Sequence, residues 1–179
     1  MLVTFVGGDR GPWRIERSEP VQGEGLAPAH RLQIFEGTEA PDDGRWSLRG
    51  ATSNERYVTA IEQAELHQRS PSLGRREATK AALIPIRKTQ AWWDLPQDER
   101  RSIFEDRSYH VASGLKHLPA VARRLHHGRD LDEPFDFLTW FEFAPSDSSG
   151  FEQLVAMLRK TEEWSYVERE VDLRLVRSD

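Results

Sequence analysis

The sequence of 179 residues contains no cysteine and no long apolar run. Without cysteine there can be no disulfides, thiolate metal sites or cysteine nucleophiles. No segment approaches the roughly 18 consecutive apolar residues of a membrane-spanning helix. Residues 1–8 have only a short apolar run with no basic segment before it, which is not typical of a signal peptide. We therefore expect a cytoplasmic protein with no membrane partner.

The sequence also has no excess of positively charged residues. The 25 basic residues are outnumbered by 30 acidic ones, and the formal net charge is −5. This balance argues against a nucleic-acid partner. Six Trp and eight Phe are present, and 37% of the residues are hydrophobic. That composition supplies a core for one compact domain or for two small subdomains that share a core.

The two halves of the chain differ in their patterning. The N-terminal half reads mostly as strands, and the polar segment 68–76 connects it to the second half. The second half predicts an alternation of strands and helices: strand Ala82–Arg87, helix from about Leu95 towards Leu118, a second helical piece Ala120–Leu125 after Pro119, strand Phe135–Phe143, a helix from Ser149, and strand Tyr166–Val176. This order favours an α+β fold of the ferredoxin-like kind.

His110 is the histidine with the most informative surroundings. Steps of three and four residues place several side chains on one stripe of the predicted helix: Ile103, Arg107, His110, Gly114, His117 and Val121. A glycine inside a helix costs about 1 kcal/mol, so the close approach of a flat group would explain Gly114. The alternative is a core histidine beside a glycine that allows helix packing.

Arg123 follows His110 by thirteen residues. On an unbroken helix the two would be about 19 Å apart along the axis. Because Pro119 breaks the helix, a turned second piece could bring Arg123 over the far face of a planar group held by His110. A guanidinium there would suit a small anion. Alternatively, Arg123 and Arg124 are solvated charges at a helix end.

Three further positions are candidates for a binding site. Lys88 ends an apolar strand four residues before Trp92, although a lysine there could also extend its charge to solvent above a core tryptophan. Glu162 and Glu163 end the last predicted helix, where the helix dipole disfavours acidic residues. A carboxylate at that point could orient a metal-ligating imidazole by hydrogen bonding.

At these residues the chain resembles the chlorite dismutase family of haem proteins. The matching segments are IPIRKTQAWW, RSYHVASGLKHLPAVARRLHH, FDFLTWFEF and TEEWSYV. The resemblance covers about the last hundred residues well, and the first eighty only loosely through WSLRGATSNERYV. It is specific because it places several residues in order with their spacing.

The resemblance implies a role for each candidate residue. His110 matches the proximal ligand of haem b iron, and Arg123 matches the distal arginine. Lys88 matches a lysine that contacts a haem propionate, and Trp92 the tryptophan one turn on. The glutamate that hydrogen-bonds the proximal histidine is either Glu162 or Glu163. The implied fold is a pair of ferredoxin-like subdomains with antiparallel sheets and outer helices, a reduced one in residues 1–76 and a haem-binding one in residues 77–179.

The implied activity is the decomposition of chlorite to chloride and molecular oxygen by a cytoplasmic homodimer. The coproporphyrin decarboxylase branch has glutamine at the position of Arg123 and a reactive tyrosine at that of Ile84, so decarboxylation is not expected. Two alternatives stay open. One is a haem peroxidase or haem carrier of the same family. The other is a haem-free, ferredoxin-like ligand-binding dimer in which His110 is structural.

Overall fold

The computed structural model describes residues 1–37, 40, 43–53 and 57–178 of the chain. Its main feature is a closed antiparallel barrel in the order β1-β3-β2-β8-β5-β7-β6-β4. The eight strands are β1 (Leu2–Gly8), β2 (Trp13–Gln22), β3 (Arg31–Glu36), β4 (Trp46–Thr52), β5 (Lys80–Lys88), β6 (Ala122–His127), β7 (Phe137–Phe143) and β8 (Val167–Arg177). Two of the contacts that close the barrel, β2 with β3 and β4 with β6, pair only two residues on each strand.

The helices of the described residues are short and lie between the strands. They are α1 (Ala60–Arg69), α2 (Gln90–Asp94), α3 (Gln97–Arg101), α4 (His110–Leu115) and α5 (Ser148–Leu158). A π-helical turn at Ser102–Arg107 continues α3, and a 3₁₀ turn at Glu163–Tyr166 leads into β8. None of the described helices has the length and apolar character needed to cross a membrane.

Strand β5 explains why the core has two parts. Ala81 and Leu83 point into the barrel, where they join a buried cluster with Trp140. Ala82 and Ile84 point outwards and join a second cluster against α5. Because successive side chains of a strand face opposite sides, a strand that is buried on both sides reads as an almost continuous apolar run, KAALIPIRK.

The prediction of two ferredoxin-like subdomains is wrong. Strands from both halves of the chain close into one barrel, since β2 pairs with β8 and β4 pairs with β6. Local patterning identified most of the strands, but strand order depends on pairings between residues far apart in the sequence. The predicted boundary after residue 76 falls in the segment between α1 and β5, and it stays a prediction.

The predicted helix from Leu95 to Leu118 is also wrong in its continuity. Tyr109 has a positive φ of 52°, the left-handed conformation, and this interrupts the helical path just before α4. The predicted helical piece Ala120–Leu125 is a strand instead, because β6 pairs with β7 from Ala122 to His127. Tertiary pairing therefore overrides the helical preference of ARRL.

Candidate functional site

A partly open cavity of about 170 Å³ lies between the outer face of the barrel and the helices. One wall consists of residues of β5, β6 and β7 that point away from the barrel interior: Ile84, Ile86, Arg123, Leu125, Phe137, Thr139 and Phe141. Helices α1, α4 and α5 contribute the other sides through residues such as Leu66, His110 and Leu154. The lining of the cavity is therefore mainly apolar and includes a few polar side chains.

His110 is the first residue of α4, and the turn before it determines its position. The left-handed Tyr109 reverses the backbone there. The Glu105 carboxylate then accepts hydrogen bonds from the backbone N–H groups of Val111 and Ala112, at 2.6 and 3.2 Å. A helix start leaves such N–H groups without intrahelical partners, so Glu105 acts as their cap. This places the imidazole at the edge of the cavity, with 23% of its side chain exposed.

Glu163 connects His110 to Lys88. Its Oε2 lies 2.7 Å from His110 Nδ1, and its Oε1 lies 2.9 Å from Lys88 Nζ. The Glu163 and Lys88 side chains are only 6% and 4% exposed. The backbone N–H of Glu163 donates to Ser108 Oγ at 3.0 Å, which ties its 3₁₀ turn to the segment before α4. An imidazole that donates from Nδ1 to this carboxylate keeps Nε2 for a ligand.

The charge state of Glu163 follows from these contacts. Burial raises the pKa of its carboxyl group, but the Lys88 ammonium and the hydrogen-bonded His110 lower the pKa by more, to about 2. The carboxylate is therefore ionised at neutral pH. An ionised acceptor on Nδ1 orients an imidazole and makes its other nitrogen a stronger ligand for a metal.

Two aromatic rings fix the plane of the His110 ring. Phe104 stacks on it with ring centroids 4.3 Å apart and an interplanar angle of 22°. Trp164 lies at 6.4 Å with the same angle. The indole N–H of Trp164 donates to Glu170 Oε2 at 2.8 Å, and this bond holds the indole in place. The imidazole is thereby restricted in rotation as well as in tautomer.

Trp92 lies behind this group and is 1% exposed. The Lys88 ammonium sits 4.3 Å from the centre of its ring, a distance at which a cation is attracted to the π face. Its indole N–H is buried and has no acceptor among the described residues. A buried donor without a partner is uncommon and indicates a missing ligand group or water.

Arg123 reaches the same cavity from the opposite wall. It lies on β6 opposite Phe141 of β7, and both side chains line the cavity. Because side chains alternate along a strand, Arg124 faces the other way and pairs with Glu36 at 2.6 Å. The strand therefore places one arginine in the cavity and the next outside it.

The structure brings together five of the six predicted site residues. His110, Lys88, Trp92, Arg123 and Glu163 all line the cavity. Glu162 does not line it, because its carboxylate pairs with Arg107 at 2.9 Å and is 42% exposed. The Lys88 ammonium is engaged by Glu163, and its contact with a propionate stays a prediction.

Sequence reasoning missed several residues of the site: Tyr57, Phe104, Glu105, Thr139 and Trp164. Phe104 precedes His110 by six residues, which on a continuous helix would put it on a different face. The break at Tyr109 removes that separation. Thr139 gave a usable signal, as the one hydroxyl residue in the aromatic strand FDFLTWFEF.

The residues around the cavity fit a haem group. A single histidine with a carboxylate on its far nitrogen is a ligand set for an iron that a macrocycle already holds. Among the described residues, no group of three or more His, Cys, Asp or Glu side chains could hold a bare ion. A Cβ added to Gly114 would meet nothing within 4 Å, so the face of α4 beside His110 has room for a flat group.

Comparison with known proteins gives consistent matches. The family model described as Chlorite dismutase matches residues 43–178. A chlorite dismutase of Ideonella dechloratans is 35% identical over 86 residues, which cover 48% of this chain but only 28% of that protein. The chain thus aligns with less than a third of that relative.

Solved structures extend the comparison to the whole chain. A dimeric chlorite dismutase from Nitrobacter winogradskyi superposes with a TM-score of 0.93 and is 55% identical, over 98% of this chain and 99% of that one. A chlorite dismutase from Candidatus Nitrospira defluvii in complex with imidazole gives a TM-score of 0.68 at 22% identity, over 99% and 91%. At that identity the second match supports the fold alone.

Proposed function

The chain belongs to the chlorite dismutase family, and from this premise we propose that it is a haem b enzyme that decomposes chlorite to chloride and molecular oxygen. One observation carries the proposal. A histidine oriented by a buried carboxylate and an arginine face the same apolar cavity from opposite walls. That arrangement suits an iron ligand on one side and a small anion on the other.

The helix side of the cavity holds and tunes the cofactor. His110 would ligate the iron through Nε2, while its Nδ1–H donates a hydrogen bond to the Glu163 carboxylate. Lys88 keeps Glu163 ionised and in place, and the Trp92 ring packs against the Lys88 ammonium. When bound, the haem supplies the redox chemistry that breaks the chlorine–oxygen bond and forms the oxygen–oxygen bond.

The sheet side of the cavity holds the substrate. The Arg123 guanidinium is always charged, and in an apolar cavity its attraction for an anion is stronger than in water. It binds chlorite and retains the negatively charged oxychlorine fragment until oxygen–oxygen bond formation is complete. The walls formed by Ile84, Leu125 and Phe141 limit the access of water.

The assembly we propose is a homodimer. The structure that is 55% identical to this chain is described as dimeric, and its match covers 98% of the chain. A cytoplasmic location stays a prediction from the sequence.

The test is oxygen release on adding chlorite to haem-loaded protein, followed with an oxygen electrode. We expect rapid release in the native protein and its loss in His110→Ala, which removes the side chain that would ligate the iron. A peroxidase assay on the same samples addresses the alternative activity. A normal haem spectrum with no oxygen release would contradict chlorite decomposition, and the absence of any Soret band after haem addition would contradict a haem protein altogether.

A further inference from the structure

Thr139 places a hydroxyl group on the apolar wall of the cavity. It lies at the middle of β7, where Leu138 and Trp140 on either side point into the barrel core. Thr139 itself points outwards and lines the cavity together with Phe137 and Phe141. Because side chains alternate along β7, the neutral polar side chain of Thr139 faces the space opposite His110.

The neighbours of Thr139 across the sheet make its polarity conspicuous. Its partners in register are Ile84 on β5 and Leu125 on β6, both apolar and both in the cavity wall. Arg123 pairs with Phe141, the residue two positions along β7. Thr139 and Arg123 are thus diagonal neighbours on the same face of adjacent strands, a separation that the long arginine side chain can span.

The Thr139 hydroxyl has no hydrogen-bond partner within the described part of the chain. Valine has nearly the same shape and would fill this position without a polar group to desolvate. A hydroxyl in an apolar wall therefore indicates a ligand atom that accepts a hydrogen bond from it. Arg123 is the one charged side chain among the cavity-lining residues of β6 and β7, and this indicates that the ligand is an anion.

We propose that Thr139 is a second substrate-binding residue, which donates a hydrogen bond to one oxygen of the small oxyanion that Arg123 holds. This inference rests on the proposed function, and it names a residue that discriminates between anions. A bent oxyanion offers separate oxygen atoms to the guanidinium and to the hydroxyl. Chloride, the product, is a single atom and has no second oxygen to offer, so the pair favours substrate over product.

The test measures ligand binding without turnover. Nitrite is a bent triatomic oxyanion like chlorite, and imidazole is a neutral ligand of haem iron without oxygen. Both are titrated into haem-loaded ferric protein and followed by the shift of the Soret band. In Thr139→Val the dissociation constant for nitrite should rise about 5- to 10-fold, the effect of losing one hydrogen bond. The constant for imidazole should stay within about 2-fold, because its binding does not use the hydroxyl.

Two further variants control for packing. Thr139→Ser restores a hydroxyl and should recover most of the nitrite affinity. Thr4→Val makes the same chemical change on β1, where Thr4 is 4% exposed and outside the cavity, and it should leave both constants unchanged. A double-mutant cycle with Arg123→Ala should show non-additive effects on nitrite, since both groups contact the same anion.

Three results would overturn the inference. Equal nitrite affinity in native protein and Thr139→Val would show that the hydroxyl does not contact the anion. A parallel weakening of nitrite and imidazole would show that the substitution acts through the shape of the cavity. If native haem-loaded protein does not respond to nitrite at all, the anion site itself is absent, and the proposed function fails together with the role of Thr139.

Discussion

Replacing Lys88 with methionine tests the buried charge pair behind His110. The Lys88 ammonium lies 2.9 Å from Glu163 Oε1, and the two side chains are 4% and 6% exposed. Methionine keeps an unbranched apolar chain against Trp92 but removes the charge. Glu163 is then left buried with His110 as its remaining partner. A buried carboxylate without its counter-charge either stays ionised at a high cost or takes up a proton.

The expected loss of stability is about 3 kcal/mol at neutral pH. Burial raises the Glu163 pKa, but Lys88 and His110 lower it from 4.5 to about 2. This depression is the joint effect of Lys88 and His110 against burial, and removing one partner of a buried pair costs roughly 3–5 kcal/mol. Because the folded state lowers this pKa, its stabilisation is present above pH 4.5 and disappears as the pH falls towards 2. The difference between native protein and variant should shrink over the same range.

Urea unfolding at equal haem loading measures this difference, and Lys80→Met is a matched control. Lys80 lies at the other end of β5 and pairs with Glu16 at 2.8 Å, but those side chains are 31% and 34% exposed. An exposed pair contributes about 0–1 kcal/mol, so Lys80→Met should have a small effect. If both substitutions lower the free energy of unfolding equally, burial does not strengthen the Lys88 pair and the reasoning is refuted.

Three further substitutions address other parts of the site and the core. Glu163→Gln should speed haem loss roughly 10- to 100-fold, because an amide orients the ligating imidazole less well than a carboxylate does. Transfer of haem to an apo acceptor protein measures this rate. The control Glu162→Gln changes an exposed carboxylate and should not speed haem loss. Arg123→Ala should bind haem normally but lose roughly 10²-fold in oxygen release and bleach faster during turnover, whereas Arg124→Ala, on the opposite side of β6, should not. Burial, followed by the nearby charge of Arg124, lowers the pKa of His126 from 6.5 to about 4. Its neutral form is favoured in the fold, so stability should fall by up to about 3 kcal/mol between pH 6.5 and 4, and His126→Leu should flatten this part of the profile in pH-dependent urea unfolding.

Each of these predictions has a contrary result. Equal haem loss in the two glutamine variants would exclude a specific role for Glu163. If Arg123→Ala stays active during turnover for as long as the native protein does, Arg123 does not retain the oxychlorine fragment. A profile of His126→Leu with the same acid slope as the native protein would assign that slope to other groups.

Some of the site was predictable because short patterns carry it. His110 and Gly114 both line the cavity, as their spacing of four residues predicted. The spacing holds because both residues lie within the regular helix α4. The choice between Glu162 and Glu163 was not predictable. Adjacent residues in a turn point in different directions, and only the direction of the 3₁₀ turn decides that Glu163 faces His110.

Arg123 shows how a correct residue can rest on a wrong element. The sequence favoured a helical piece after Pro119, folded back towards His110. The structure has a strand there, and the arginine reaches the cavity because β6 pairs with β7. Helix preference is a local property of ARRL, whereas a strand is stabilised by hydrogen bonds to a partner elsewhere in the chain.

By itself the sequence determined the apolar and polar alternation of the strands, the helical spacing around His110, and a pattern of residues similar to that of one haem-protein family. These are properties of residues close together in the chain. Only the tertiary structure decided that β2 pairs with β8 and β4 with β6, that the strands close into one barrel, and that Thr139 and Arg123 share a wall opposite His110. The reason is that strand order and cavity walls depend on contacts between distant residues, whose free energy appears only when both partners are in place.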